Sequence, residues 1–377
     1  IVPFHCFIFE FIFQIMIVKD VTKYLEKIAP LHLQESYDNS GLQVGDYNSE
    51  LKGVLVSLDV TLEVIDDAIN QKCNLIVAHH PVIFGEIKSV TNNSLTGSIV
   101  FKAIKNHINI YAIHTNLDNV KNGVNAKIAE IIGLKRKKIL LPKQNLLKLA
   151  VFVPESHSEQ VSQALFSSGA GNIGNYKNCI FSSYGEGSFL PVSGSKPFKG
   201  KEGRLEKVKE EKLEVIFPDY LLSDIIQSMN SAHPYEEVAY DIFKLQNNSN
   251  TGSGMIGELE KPIEELEFLN LIKKKFHAAG VRHTKLINKP IKKVALCGGS
   301  GSFLLKNAMA EKADIFITSD YKYHQFFEAE NRILIADIGH YESEQFTIDL
   351  ISEFLMKKFT NFAIRLTTVN TNPINYL

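Results

Sequence analysis

The sequence predicts an α/β protein: two α/β lobes with mainly parallel sheets, and between them an inserted ferredoxin-like α+β domain. Three observations carry the architecture. Short apolar runs alternate with helical periods from Leu51 to Leu134, the alternation returns from Ile291 to Phe359, and the stretch between follows another pattern. A chain of 377 residues suits two or three domains. Its 45% hydrophobic and 22% charged residues are ordinary globular values and exclude a mainly disordered chain.

The apolar start, residues 1–15, stands apart. It lacks a basic leading region and an A-x-A-like cleavage site, and His5, Glu10 and Gln14 interrupt a stretch already short for a membrane span. Met16 begins MIVKDVTKYLEKIAP, a normal amphipathic start. Residues 1–15 therefore read as an upstream extension with the native start at Met16, and a signal anchor is the competing reading.

In the first lobe, residues 16–144, KGVLVSLDV reads as a strand and TLEVIDDAINQK as a helix capped by Thr61. CNLIVAHHP is a buried strand, GSIVFKAIKNH a helix and INIYAIHTNLDN a further strand. GVNAKIAEIIG is a helix closed by Gly133. In residues 145–254, KLAVFVP, strands near 177–184 and 212–217, and VAYDIFKL are interleaved with the helices SEQVSQALFSS and YLLSDIIQSMNS. That βαββαβ order is ferredoxin-like, and the polar, glycine-rich QNNSNTGSG reads as its exit linker. In the second lobe, residues 255–377, IKKVALCGG, ADIFITSD and RILIADIGH read as strands. SFLLKNAMAEK and YKYHQFFEAE separate them as helices, and a last helix runs from about Tyr341 through TIDLISEFLMKKF.

Charge excludes a general nucleic-acid-coating role, because 41 Lys+Arg against 42 Asp+Glu leaves no basic surplus for phosphate backbones. Four scattered cysteines form no CxxC pair, which argues against a disulfide framework or a thiolate zinc site and fits a reducing cytoplasm. No segment after the start is long and apolar enough to span a bilayer.

Histidine carries the chemistry. His79-His80-Pro81 ends the strand LIVA, and ligands gather outside the carboxyl ends of strands in open parallel sheets. Two adjacent neutral imidazoles there can face neighbouring metal ions; one packed and one exposed histidine is the plainer account. His114-Thr-Asn-Leu-Asp118 occupies the same place after the next strand. Asp118 offers a hard oxygen ligand or a turn cap, and His114 a ligand or a partner that orients one. His340-Tyr-Glu-Ser-Glu344 follows RILIAD; one helical turn puts His340 and Glu344 on one face, although acidic residues also suit a helix N-terminus.

Taken in order, YDNSGLQVGD (37–46), VAHHPVIF (77–84), HTNLDN (114–119), ITSDYKYHQ (317–325) and GHYESE (339–344) resemble the Nif-three-like family, whose members are known as type 2 homologues of GTP cyclohydrolase I. The likeness runs from about Met16 to the last helix. HPYEEVAYDIFKL (233–245) is similar to the end of the domain inserted in the family's long bacterial form. The resemblance implies two divalent metal ions per subunit held by His79, His80, Asp118, His340 and Glu344, with Glu344 bridging. It also implies a homohexameric toroid with metal sites facing an internal cavity, and ring-opening hydrolysis of a purine nucleotide.

Other features weigh less. CGGSGSF (297–303), between a strand and a helix, can cradle an anion on backbone N–H groups or be a plain tight turn. Asp38 lies in a loop expected at the cavity mouth, and His324 and Asp320 are candidates for proton transfer or for supporting a ligand, with surface positions the alternative. His233-Pro-Tyr-Glu-Glu237 reads as a turn entering a strand. An imidazole and carboxylate set suits Zn, Fe, Mn or Co without choosing among them. The expected function is thus a metal-dependent hydrolase of a small-molecule or nucleotide substrate. A metallo-phosphoesterase, or a metal-binding regulatory or assembly protein without turnover, is the alternative.

Overall fold

The computed structural model describes residues 15–377, so the expectation for the apolar N-terminal segment lies outside the described residues but for Ile15. No described helix is long and apolar enough to cross a membrane. The chain divides into two compact units, Ile1–Leu141 with Thr251–Leu377, and Pro142–Asn250.

The first unit contains two mixed sheets. One has the strand order Gly41–Val44, Asn109–Ala112, Leu75–Ala78, Val54–Ser57, Ile364–Leu366. Its pairs are parallel except that of Gly41–Val44. Each of the three inner strands is buried at every residue, which is why they read as unbroken apolar runs rather than as alternation. Helices Leu62–Asn70 and Leu95–Lys105 are started by Thr61 and Ser94, whose hydroxyls accept from the N–H groups of Val64 and Gly97. Helix Val124–Ile132 stops at Gly133, at φ 94°. Val18, Val21 and Leu25, on one face of helix Val18–Ile28, are fully buried. Each such side chain contributes about 1.5–3 kcal/mol of transfer free energy.

The other sheet has the order Arg282–His283, Leu334–Asp337, Ile315–Ser319, Ile291–Ser300, Gly252–Ile263, Lys135–Pro142. Two antiparallel pairs flank its parallel centre. The sheets are therefore mixed, and each takes an edge strand from the other half of the chain. One apolar core joins both, from Val18 and Leu75 through Ile128 and Leu296 to Leu334 and Leu355.

Some local expectations need correction. His114 to Asn119 is not strand: residues Thr115–Asp118 form a single helical turn. Tyr323–Ala329 is 3-10 helix, and the last helix is interrupted at Gln345 and Phe346, separating His340–Glu344 from Thr347–Lys358.

The second unit runs strand Leu146–Pro154, helix Ser158–Ser167, strands Ile180–Phe189 and Glu206–Pro218, helix Leu222–Ala232, strand Tyr240–Lys244. The sheet order is Ile180–Phe189, Glu206–Pro218, Leu146–Pro154, Tyr240–Lys244, antiparallel throughout. Leu149, Val151, Leu213 and Val215 pack from the sheet against Val161, Leu165, Ile225 and Met229 of the helices.

Candidate metal centre

The carboxyl ends of two parallel neighbours in one sheet and of a strand in the other sheet come to one place. His79 and His80 follow Leu75–Ala78, where their N–H groups donate to the carbonyls of Ser57 and Leu58 and prolong the ladder. Asp118 ends the helical turn after Asn109–Ala112. His340 and Glu344 lie on the short helix after Leu334–Asp337, entered through Gly339 at φ 93°. That positive φ strains any residue with a side chain and favours glycine, and a Cβ there would also displace the Glu342 carboxylate.

The five residues converge. Glu344 Oε2 lies 2.9 Å from His80 Nε2, 3.0 Å from His340 Nε2 and 3.9 Å from His79 Nε2. Asp118 Oδ1 lies 3.8 Å from His79 Nε2. Three overlapping groups each hold ligand atoms within 4.8 Å of one another: His79, His80 and His114; His80, His340 and Glu344; and His79, Asp118 and Glu344. The three groups overlap through His79, His80 and Glu344.

Each imidazole is aimed the same way. His79 Nδ1 is 2.8 Å from the Ile113 carbonyl oxygen, His80 Nδ1 2.7 Å from Asp59, His114 Nδ1 2.7 Å from Asp38 and His340 Nδ1 2.6 Å from Asp320. An acceptor at every Nδ1 favours a proton there and leaves Nε2 as the nitrogen that a metal would take, which is how protein metal sites orient histidine. Among the described residues, His79 Nε2 and Asp118 Oδ1 are buried without a hydrogen-bond partner. Orphaned buried polar atoms call for a ligand, and a cation fits a lone pair facing a carboxylate oxygen.

The electrostatics diverge within the cluster. Burial pushes the His79 imidazolium down. It works the same way on His80, but Asp59 and Glu344 outweigh it and raise the group to about 9. Glu344 and Asp320 likewise overcome burial at His340 and raise it to about 11. Burial opposes the Glu344 charge, yet its histidines hold it well below the usual carboxylate range. Asp118 is raised by burial and then by Glu344. Metal binding here would displace protons.

Asp38 meets His114 and also accepts from Thr115 N–H, and Asp320, at φ 57°, meets His340. His324 is not brought in: it stands exposed on the 3-10 helix beside the rings of Tyr323 and Phe327. Sequence reasoning missed Asp59, although it follows strand Val54–Ser57 at its carboxyl end, the same signal that marked His79. The glycine-rich end of strand Ile291–Ser300, continued by Gly301, reaches the cluster, but three of its amides are already occupied. Gly298, Gly299 and Gly301 N–H groups donate to Asn125, Ser343 and Thr318 side chains, which favours the tight-turn account over an anion cradle.

A cavity of about 360 Å³ opens over the cluster. Tyr37 and Phe84 stack at its edge with ring centroids 6.5 Å apart and 21° between planes, and Phe84 meets His114 edge-on at 5.8 Å.

The family described as Duf34/NIF3 (NGG1p interacting factor 3) matches residues 16–373. A Bacillus subtilis (strain 168) protein named GTP cyclohydrolase 1 type 2 homolog is 39% identical over 367 residues, covering 95% of this chain and 98% of that protein. Among solved structures, a Bacillus cereus protein related to NIF3 is 37% identical, with a TM-score of 0.79 over 97% of this chain and 100% of that one. A Staphylococcus aureus protein, SA1388, is 31% identical, with a TM-score of 0.78 over 96% and 99%.

Proposed function

The chain belongs to the Duf34/NIF3 family, and from that premise we propose that it is a hydrolase using two divalent metal ions held by His79, His80, Asp118, His340 and Glu344. Ring-opening hydrolysis of a purine nucleotide is the reaction that its relatives' name suggests. The observation carrying the metal reading is the uniform Nδ1 pinning, with the Nε2 atoms of His79, His80 and His340 turned toward Glu344 and that of His79 also toward Asp118.

When bound, divalent ions would supply Lewis acidity, polarising the bond under attack and lowering the pKa of water toward neutrality. The chain's own residues divide the remaining work. Glu344, with three imidazoles around one carboxylate oxygen, is placed to serve two ions at once. Asp59 and Asp320 hold His80 and His340 in orientation. His114, with Nδ1 held by Asp38, presents Nε2 for moving a proton at the cavity edge. Tyr37 and Phe84, 64% and 53% exposed, offer ring faces on which a planar heterocycle can stack. No lysine or arginine lines this cavity among the described residues.

The strand order of Leu146–Lys244 supports reading the second unit as the inserted ferredoxin-like module. Such modules often bind effectors, which is the basis, by fold analogy, of the competing reading as a regulator without turnover. Metal analysis of the purified chain, followed by a screen of nucleotides and phosphoesters before and after chelation, tests the proposal. Chelator-sensitive ring opening supports it, and phosphoester cleavage alone would move the assignment to a metallo-phosphoesterase. A fully metallated protein that turns over nothing would favour the regulator, and a chain that binds no metal would overturn both.

A further inference from the structure

The second unit carries a cavity of about 480 Å³ lined by aromatic, acidic and aliphatic side chains. Phe189, Phe198 and Tyr235 form an aromatic cluster in its wall. Tyr235 lies between the other two rings, with centroids 6.1 Å from Phe189 and 6.2 Å from Phe198. Glu210, Glu236 and Glu237 supply the charge, and no lysine or arginine lines the cavity among the described residues. The nearby ion pairs join Lys148 and Lys212 to Glu214 and Lys207 to Glu186, leaving the three lining carboxylates outside any ion pair among the described residues.

The arrangement is built rather than incidental. Glu210 is 9% exposed, and its Oε1 accepts the Tyr235 hydroxyl at 2.8 Å. Gly187 on the paired strand leaves room for that carboxylate, since a Cβ there would collide with it. His233 fixes the turn that presents Tyr235. Its Nδ1 accepts the Tyr235 N–H at 3.1 Å, and its Nε2 donates to the Phe152 carbonyl oxygen at 3.0 Å. One nitrogen must be bare and the other protonated, so this ring is neutral and offers nothing to a metal. From the facing loop, Lys196 N–H donates to Glu236 Oε1 at 2.7 Å.

Ring faces carry negative electrostatic potential and attract weakly hydrated organic cations. A strongly hydrated metal ion would instead need several oxygen ligands and gain little from the rings. The volume lies within the usual range for small-molecule sites. We propose that this cavity binds a small organic cation of the methylated-ammonium class, its charged head against the rings of Phe189, Phe198 and Tyr235 and facing Glu210.

The test is a calorimetric titration of the full chain with choline, alongside 3,3-dimethyl-1-butanol, the uncharged molecule of the same shape. Choline is expected to saturate one site per chain, with the alcohol weaker by at least about tenfold. Glu210→Gln removes the charge but keeps an acceptor for Tyr235, and should weaken choline by a similar factor. Phe198→Ala, at a side chain 44% exposed, removes one ring without opening the core and should also weaken it while the melting temperature stays put. Equal binding of the uncharged molecule, undiminished choline binding in both variants, or no saturable response to choline would each overturn the proposal.

Discussion

Replacing Glu344 with Gln separates a bridging ligand from a merely packed polar group. Glu344 is 3% exposed, and one of its oxygens lies at hydrogen-bond distance from His80 and His340 together. Glutamine keeps the shape and one accepting oxygen but loses the charge. In metal-free protein the loss amounts to one charge-assisted hydrogen bond, about 1.5–3 kcal/mol. At about 2.1 cal/mol/K of unfolding entropy per residue, a chain of 377 residues shifts by roughly 1–2 °C per kcal/mol, so the melting temperature falls by only a few degrees. The alternative of a carboxylate favouring a helix N-terminus is worth only about 0.3–1 kcal/mol, and it fits poorly, because Glu344 is the last residue of helix His340–Glu344. In metal-loaded protein the consequence differs in kind: a site that loses its shared anion should keep at most one ion. Metals per chain are measured by mass spectrometry after dialysis, with melting curves recorded with and without chelator. The parent should show two equivalents and a large fall in melting temperature on chelation, and Glu344→Gln fewer ions and a smaller fall. Unchanged stoichiometry with an unchanged chelator shift would refute the bridging role.

Three further outcomes follow from the same geometry. Asp59→Asn, which weakens the acceptor at His80 Nδ1 without removing a ligand, should lower metal affinity about 10–100-fold in a chelator competition while stoichiometry at saturation holds; unchanged affinity would remove Asp59 from the site. Asp314→Ala should destabilise the protein by about 2–4 kcal/mol, because Asp314 accepts from the N–H groups of Lys292 and Lys293 and pairs with Lys289. Burial opposes that carboxylate's charge, but Lys289 and the two amides outweigh it and depress the group; its contribution is therefore complete above the ordinary carboxylate pKa, about 3.9, and fades as pH falls below it. Denaturant titrations should show parent and variant converging on acidification, and a pH-independent gap would contradict the reasoning. Excising residues 143–250 with a short Gly-Ser join should leave a folded chain with parental metal content, since every proposed ligand lies in the first unit and the flanking strands are neighbours in one sheet; an insoluble or metal-free product would show that the insert is required.

The convergence of His79, His80, Asp118, His340 and Glu344 was legible because each sits in a short motif just after an apolar run. Local pattern is enough to find strand ends, and the family resemblance joined the residues at the ends of strands in two different sheets into one set. Asp59 carried the same signal but lacked a histidine to draw attention. The edge strands were illegible for a different reason. KRKKILLP has neither clean alternation nor turn signals, and Lys135–Pro142 becomes a strand only beside Gly252–Ile263, far along the chain. Asn125, Ser343 and Thr318 were beyond reach in the same way, because the glycine loop that each one satisfies is supplied by a remote segment.

The traded edge strands set an order of events during synthesis. Val54–Ser57 leaves the ribosome about 300 residues ahead of its outer neighbour, Ile364–Leu366. Until then the nascent first sheet has an open flank of unpaired N–H and C=O groups, the kind of edge that recruits foreign strands. His340 and Glu344 arrive just before that closing strand, so a chain ending ahead of His340 has neither a sealed sheet nor two of its five proposed ligands. Such a product should aggregate and bind no metal pair, whereas termination between Glu344 and Ile364 should leave the ligands in place beside an open sheet edge.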